Sequence, residues 1–410
     1  MTDVEIRPID GTELPAFFRT IVEAFGDDAR DEDREREALL FEPERSLACF
    51  DGGEIVGTTA IYTRTMTMPG GPRPFAGVTA VSVAPTHRRR GLLTDLMRRQ
   101  LTDLHEDGRE AVAALWASEG PIYGRFGYGP AARRVILTGT KDRMRLRPDL
   151  PTSSGRVTLV PVERARPHEE EVYGAVAART PGFLARDERW WDRALFDGKR
   201  ARHGATARRH VLHTEQDGSV TGYATYRCRN KWSPEENRSE VEVGEVFATT
   251  PSAYGALWSF LAGIDLHPVV TRRLAPLEDP LETMLVDPRA LRRVVDDSLW
   301  IRLVDVDRAL AGRAYSAPVD VVLEVADTFC PWNAGRWRLS GDASGATCER
   351  TADAADLTVA STELGAAYLG GPRLALLAGA GLLTENTPGA LAAASRAFAG
   401  EQEPWCPEVF

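Results

Sequence analysis

An alternating apolar run, Val78 to Val83, meets Pro85 and is followed at once by His87, Arg88, Arg89, Arg90 and Gly91. Leu92, Leu93, Leu96, Met97, Leu101 and Leu104 then recur at helical intervals. The pattern predicts a strand, a cationic turn and the start of a helix. The first N–H groups of a helix have no partner inside it, and the helix dipole adds partial positive charge there. Arginines at such a terminus add charge-assisted donors. Gly91 lets a ligand come close to the backbone. The chemistry this offers is binding of a phosphate-bearing anion. The spacing is neither GxxxxGK[ST] nor GxGxxG, which disfavours a P-loop and a dinucleotide fold. By themselves, three successive arginines also fit a solvated basic turn.

A second stretch, "LWASEGPIYGRFGYGPA" from Leu115 to Ala131, follows another apolar strand. Its glycines and aromatic residues fit a tight turn beside a ligand, or aromatic packing under a glycine-rich loop. A third, "GDDARDEDRERE" from Gly26 to Glu37, is strongly acidic. It reads as a solvated helix face or as an acidic rim that draws in cationic molecules.

The elements that must position these residues alternate. "GTELPAFFRTIVEAFG" has the apolar spacing of a helix that stops at Gly26. "RSLACFDGGEIVGTTAIYTRTMTMPGG" reads as two strands around Asp51-Gly52-Gly53. With the strand "EAVAALWAS", the arginine turn and its helix form a βαβ unit. Pro148, Pro151 and Ser153-Ser154-Gly155 mark a linker. Beyond it, Val241 to Gly263 repeats the order of acidic-apolar strand, proline and apolar helix, with no arginines at the turn. The pattern changes again at "SLWIRLVDVDRAL". The expected units are therefore 1–150, 151–296 and 297–410. The last residues, "EPWCPEVF", carry Trp405 and Phe410 and are expected to be tucked in.

Bulk properties narrow the function classes. A chain of 410 residues suggests more than one domain, and a net charge of −10 argues against a nucleic-acid binder. The five cysteines are scattered without CxxC spacing, which points away from zinc and disulfides and towards the cytoplasm. No signal peptide is evident, and the apolar run Leu374 to Leu383 is too short to span a bilayer. Neither a metal nor a membrane partner is expected.

The "VAPTHRRRGLL" stretch resembles the central [Q/R]xxGx[G/A] motif of the GNAT acetyltransferase superfamily. Arg88 falls on the first position and Gly91 on the glycine, while Leu93 departs from the final small residue. Together with "ASEGPIYGRFGYGPA", it closely resembles the Eis (enhanced intracellular survival) acetyltransferases of actinobacteria. The resemblance implies an α/β chain: a catalytic GNAT domain, a degenerate GNAT-like domain and a sterol-carrier-protein-like domain. It implies acetyl-CoA as cosubstrate, held by Val81, Val83, Arg88, Arg89, Arg90, Gly91, Leu92, Leu93 and Ser118. Tyr123 would be the general acid and the terminal carboxylate of Phe410 the general base. Asp27 and Glu408 would bind substrate, although Val409 stands where a well-known member of the family has an acid. Glu119 would brace the turn.

The implied partner is a polyamine or aminoglycoside, and the implied assembly a homo-hexamer. No arrangement of nucleophile and base argues for a covalent route, so direct attack in a ternary complex is the expected course. Two other readings stay open. One is a non-catalytic acyl-CoA or lipid-binding protein, and the other a protein-lysine acetyltransferase.

Overall fold

The computed structural model of the chain describes residues 4–27, 37 and 39–410. Strand β1 (Glu5–Pro8) is followed by helix α1 (Leu14–Phe25), which ends at Gly26 as its apolar spacing predicts. Strands β2 (Ser46–Asp51) and β3 (Glu54–Met68) form the expected hairpin, and β4 (Gly71–Val83) pairs antiparallel with β3. Helix α2 (Leu92–Asp107) returns the chain to β5 (Val112–Trp116), parallel to β4. Leu92, Leu96, Met97, Leu101 and Leu104 form the buried face of α2. The short helix α3 (Gly120–Tyr123) and the strand β6 (Gly129–Pro130) close this segment.

The second unit starts with β7 (Arg133–Thr140) and β8 (Arg156–Val160), then α4 (Val162–Ala177) and α5 (Glu188–Leu195). Strands β9 (Arg209–Thr214), β10 (Val220–Arg229) and β11 (Glu240–Ala248) lead into α6 (Pro251–Gly263). Then come β12 (Val269–Ala275), α7 (Pro280–Met284) and β13 (Leu291–Asp297). The sheet order is β13-β7-β12-β11-β10-β9-β8.

Strand β14 (Leu299–Leu303) turns back into the first sheet, antiparallel to β5, giving the order β1-β2-β3-β4-β5-β14-β6. The last unit contains α8 (Val306–Ala311), β15 (Val319–Ala326), β16 (Gly335–Asp342), β17 (Gly345–Arg350), β18 (Leu357–Ala360), α9 (Ser361–Ala367), α10 (Leu374–Gly379), β19 (Leu383–Glu385) and α11 (Ala390–Phe398). Its five strands are ordered β17-β16-β15-β18-β19.

Two strands therefore cross the boundaries read at 150 and 296. β7 lies in the second sheet although it begins at Arg133, and β14 lies in the first although it begins at Leu299. Apolar alternation identifies a strand but not the sheet that receives it. The exchange fuses the units: Met66, Ala114, Ile301, Leu323 and Leu357 belong to one buried cluster. Among the described residues, no helix is long and apolar enough to cross a membrane.

Candidate active site

β4 and β5 hold together at only two registered pairs, Ala76 with Ala113 and Gly77 with Ala114. Beyond Gly77 they part. A register irregularity opposite Thr58 to Ala60, with Ala80 at φ 53°, marks a bulge that bends β4 at this point. The freed edge of β4 leaves backbone donors and acceptors available to an extended ligand. Two cavities meet in the opening, of about 630 and 590 Å3. Phe25, Val81, Ser118 and Tyr123 line both.

The larger cavity runs from this opening to the arginine turn. Val81, Val83, Arg88, Arg89, Gly91, Leu92, Leu93 and Ser118 all lie on its wall. Gly91, at φ 89°, occupies the position before α2, where the left-handed backbone suits glycine. No side chain caps this helix, so its first N–H groups are left for a ligand. Arg88 donates from Nη2 to the carbonyl of Ala24 at 2.9 Å and so ties the turn to the end of α1. Arg89 lies in left-handed backbone at φ 62° and lines the cavity. This arrangement fits a long anion with a diphosphate at the helix start and an amide-bearing arm along β4.

Tyr123 stands where the two cavities join, 4% exposed. Burial pushes its phenol above the ordinary tyrosine range. A hydrogen bond with Ser118 opposes the shift without overcoming it, and the charge of Glu119 adds to it. The phenol is thus a proton donor at neutral pH. The smaller cavity also collects Asp27, Glu37, Trp116, Arg134, Arg193 and Phe410. The Phe410 ring packs edge-on against Phe75 at 5.9 Å, and Arg193 donates to the Val409 carbonyl at 3.2 Å.

Residues 5–131 match an acetyltransferase (GNAT) domain family, residues 182–303 a second acetyltransferase (GNAT) domain family, and residues 306–407 a sterol carrier protein domain. A protein of Streptomyces avermitilis, named an uncharacterized N-acetyltransferase, is 43% identical over all of both chains. The N-acetyltransferase Eis of Mycobacterium tuberculosis is 35% identical, over 85% of this chain and 84% of its own. The crystal structure of Eis1 from Mycobacterium abscessus superposes with a TM-score of 0.84, covering 100% of each chain at 33% identity.

The chain is an Eis-type GNAT N-acetyltransferase. It has two GNAT domains and a C-terminal sterol-carrier-like domain, and GNAT chemistry uses acetyl-CoA. Within this Eis-type enzyme, two residues expected at the site lie elsewhere. Arg90 turns from the cavity to Asp51, with Nη1 3.7 Å from Oδ2, because it sits between two left-handed residues, Arg89 at φ 62° and Gly91 at φ 89°, which redirect the chain there. Glu408 is not on the wall of the smaller cavity. It points inward from the tail and is buried, accepting from Arg64 Nη1 at 2.5 Å and from Arg186 Nε at 2.7 Å. Burial alone would raise the pKa of Glu408, but the two guanidiniums hold it below the usual carboxylate range.

Other lining residues were not legible as site residues in the sequence. Phe18, Phe41, Tyr62 and Trp190 form an edge-to-face ladder, with successive centroids 4.7, 5.5 and 5.1 Å apart. Its first three members line the smaller cavity. Trp190 and Arg193 come from α5 of the second GNAT domain, and no local motif announces that contact. Glu37 belongs to the acidic run and lines the same cavity as Asp27. The intervening residues 28–36 lie outside the described residues.

The second GNAT domain begins its helix differently. Thr250 caps α6 by accepting from Ala253 N, and Pro251 removes a further donor. The uncapped, arginine-flanked start of α2 therefore has no counterpart at α6.

Proposed function

We propose that this Eis-type enzyme transfers acetyl from acetyl-CoA to a primary amine of a polycationic small molecule, such as an aminoglycoside. The observation that carries this reading is the position of Tyr123 on the shared wall of a CoA-shaped cavity and a second one lined by Asp27, Glu37 and the chain end. Val81, Val83, Arg88, Arg89, Gly91, Leu92, Leu93 and Ser118 hold the cosubstrate. Asp27, with Glu37 on the wall of the same cavity, attracts the ammonium groups.

An ammonium cannot attack, so the Phe410 carboxylate takes one of its protons. The amine nitrogen then bonds to the acetyl carbon, the C–S bond breaks, and Tyr123 gives its proton to the departing thiolate. The proton held at Phe410 and the one left on the new amide return to solvent and to Tyr123. Transfer is direct, in a ternary complex, and the assembly is a homo-hexamer working in the cytoplasm.

The test mixes purified protein and acetyl-CoA with a panel of aminoglycosides and polyamines and follows thiol release. Release with several multi-amine substrates supports the reading, and none with any amine overturns it. Residues appended after Phe410 move the carboxylate and should cripple turnover. Full activity in the extended chain would remove Phe410 as base. Light scattering of the purified protein checks the hexamer.

A further inference from the structure

The second GNAT domain contains a cavity of about 480 Å3 that the acetyl transfer does not use. It lies where β11 and β12 part. These strands run parallel only from Glu240 to Val243, paired with Val269 to Arg272. Val246 to Pro251 and Arg272 form one side, and the C-terminal tail, at Gln402, Glu403 and Trp405, lines it as well. The opening repeats that of β4 and β5, but the capped start of α6 has lost the donors a diphosphate needs. Whatever binds here therefore differs from CoA.

The lining gives the chemistry. Phe247, Met284 and Trp405 provide an apolar surface. Three charged side chains on the wall, Arg179, Glu278 and Glu403, have no ion pair among the described residues. Glu403 is partly buried, which disfavours its charged form; the charges of Arg133 and Arg373 offset this only in part, and Glu278 adds like-charge repulsion. A cation beside the two carboxylates would relieve both effects, and an anion would complement Arg179. Deeper in the wall, Arg272 is 1% exposed and Trp405 6%. Arg272 uses Nη1 for Asp279 at 2.8 Å, while Arg272 Nε and Trp405 Nε1 have no acceptor. Buried donors of this kind are costly unless they are satisfied.

We propose that this cavity binds a small zwitterion, an α-amino acid with an apolar side chain. Its carboxylate pairs with Arg179, its ammonium with Glu278 and Glu403, and its side chain packs on Phe247, Met284 and Trp405. The occupant touches Gln402 to Trp405, the start of the tail whose end lines the acceptor cavity.

The test uses the full chain and L-phenylalanine as probe, with saturation-transfer NMR and calorimetry as readouts that require no turnover. L-Phenylalanine should bind saturably. Phenethylamine, lacking the carboxylate, and 3-phenylpropionate, lacking the ammonium, should each bind about tenfold more weakly or worse, since each loses a charge-assisted contact. Arg179→Ala and Glu403→Gln should weaken the amino acid by a similar factor without lowering the melting temperature. Asp27→Asn, in the acceptor cavity, should leave its affinity unchanged. The proposal is overturned by absent binding at millimolar probe, by equal affinity for either half-molecule, or by binding lost in Asp27→Asn and kept in Arg179→Ala. These readouts do not depend on the proposed acetyl transfer, so either reading can fail alone.

Discussion

Arg186 Nε stands 2.7 Å from Glu408 Oε2, a buried contact between the second GNAT domain and the tail that ends in the acceptor cavity of the first. The other Glu408 oxygen receives Arg64 of β3, and Arg186 also donates to Glu245 at 2.6 Å. Arg64 lies over the Trp190 ring at 3.6 Å. One carboxylate thus joins both GNAT domains to the chain end. Burying such a triad costs desolvation, so its contribution lies in placement more than in net stability. Phe410, two residues on, inherits that placement.

Removing the carboxylate should expose the cost. Glu408→Ala leaves two buried guanidiniums without it and is expected to lower the unfolding free energy by about 3–5 kcal/mol. Turnover should fall as well, because Val409 and Phe410 lose their anchor. Urea unfolding and acetyl-transfer rates check the two effects. A loss below about 1 kcal/mol would place the triad with exposed pairs that contribute little. The sign with pH follows from the depressed folded pKa of Glu408. The stabilisation is fully present above the ordinary value of 4.5 and is lost as pH falls below it, through the lower folded value. The alanine variant should lack this part of the acid dependence.

Tyr123→Phe keeps the ring and removes the proton donor. Turnover should fall by about a hundredfold, the usual scale for one general acid. Acetyl-CoA affinity, measured by calorimetry, should stay the same, because the cavity wall is preserved. The raised phenol pKa predicts that wild-type turnover keeps its acid up to and beyond the ordinary tyrosine range near pH 10. A wild-type alkaline limb centred near neutral pH would assign the acid to another group.

Much of the first domain could be read from residues close in sequence. Gly26 stops α1, Asp51-Gly52-Gly53 turns β2 into β3, and the leucine spacing builds α2. The arginine turn was legible because helix start, charge and glycine adjoin one another. The acceptor cavity was not, because its wall is assembled over long separations. Phe410 and Asp27 were reached through the family resemblance, but Phe41 and Tyr62 come from the first sheet and its approach and Arg193 arrives from α5. The same limit explains Glu408 and Arg90. Residue type marks each as able to bind a ligand, yet packing gives Glu408 to Arg64 and Arg186, and turn geometry gives Arg90 to Asp51.

The turn itself offers a paired test. Arg89 lines the CoA-shaped cavity, and Arg90 does not. Arg89→Ala should raise the KM for acetyl-CoA about tenfold, the scale of one lost charge-assisted contact, and reduce its salt dependence. Arg90→Ala should leave that KM within about twofold, since its contact with Asp51 is a half-exposed pair. Equal effects from both variants would mean that the turn acts only through its overall charge.

Gly77 marks the last pair that holds β4 to β5, and it also touches the end of the chain. A Cβ there would lie 3.3 Å from the Phe410 ring and 3.3 Å from the Tyr62 carbonyl. The carbonyl belongs to β3 and is fixed by the sheet, whereas Phe410 is terminal and can shift. Gly77→Ala should therefore displace Phe410 by a few tenths of an ångström rather than disrupt the strands. Misplacement of a reacting group on that scale lowers rate more than stability. The expected outcome is a several-fold fall in kcat, an unchanged KM for acetyl-CoA and a melting temperature within a few degrees of wild type. A large loss of stability with normal kcat in the folded fraction would show that the strand gave way instead, and that the position of Phe410 does not govern turnover.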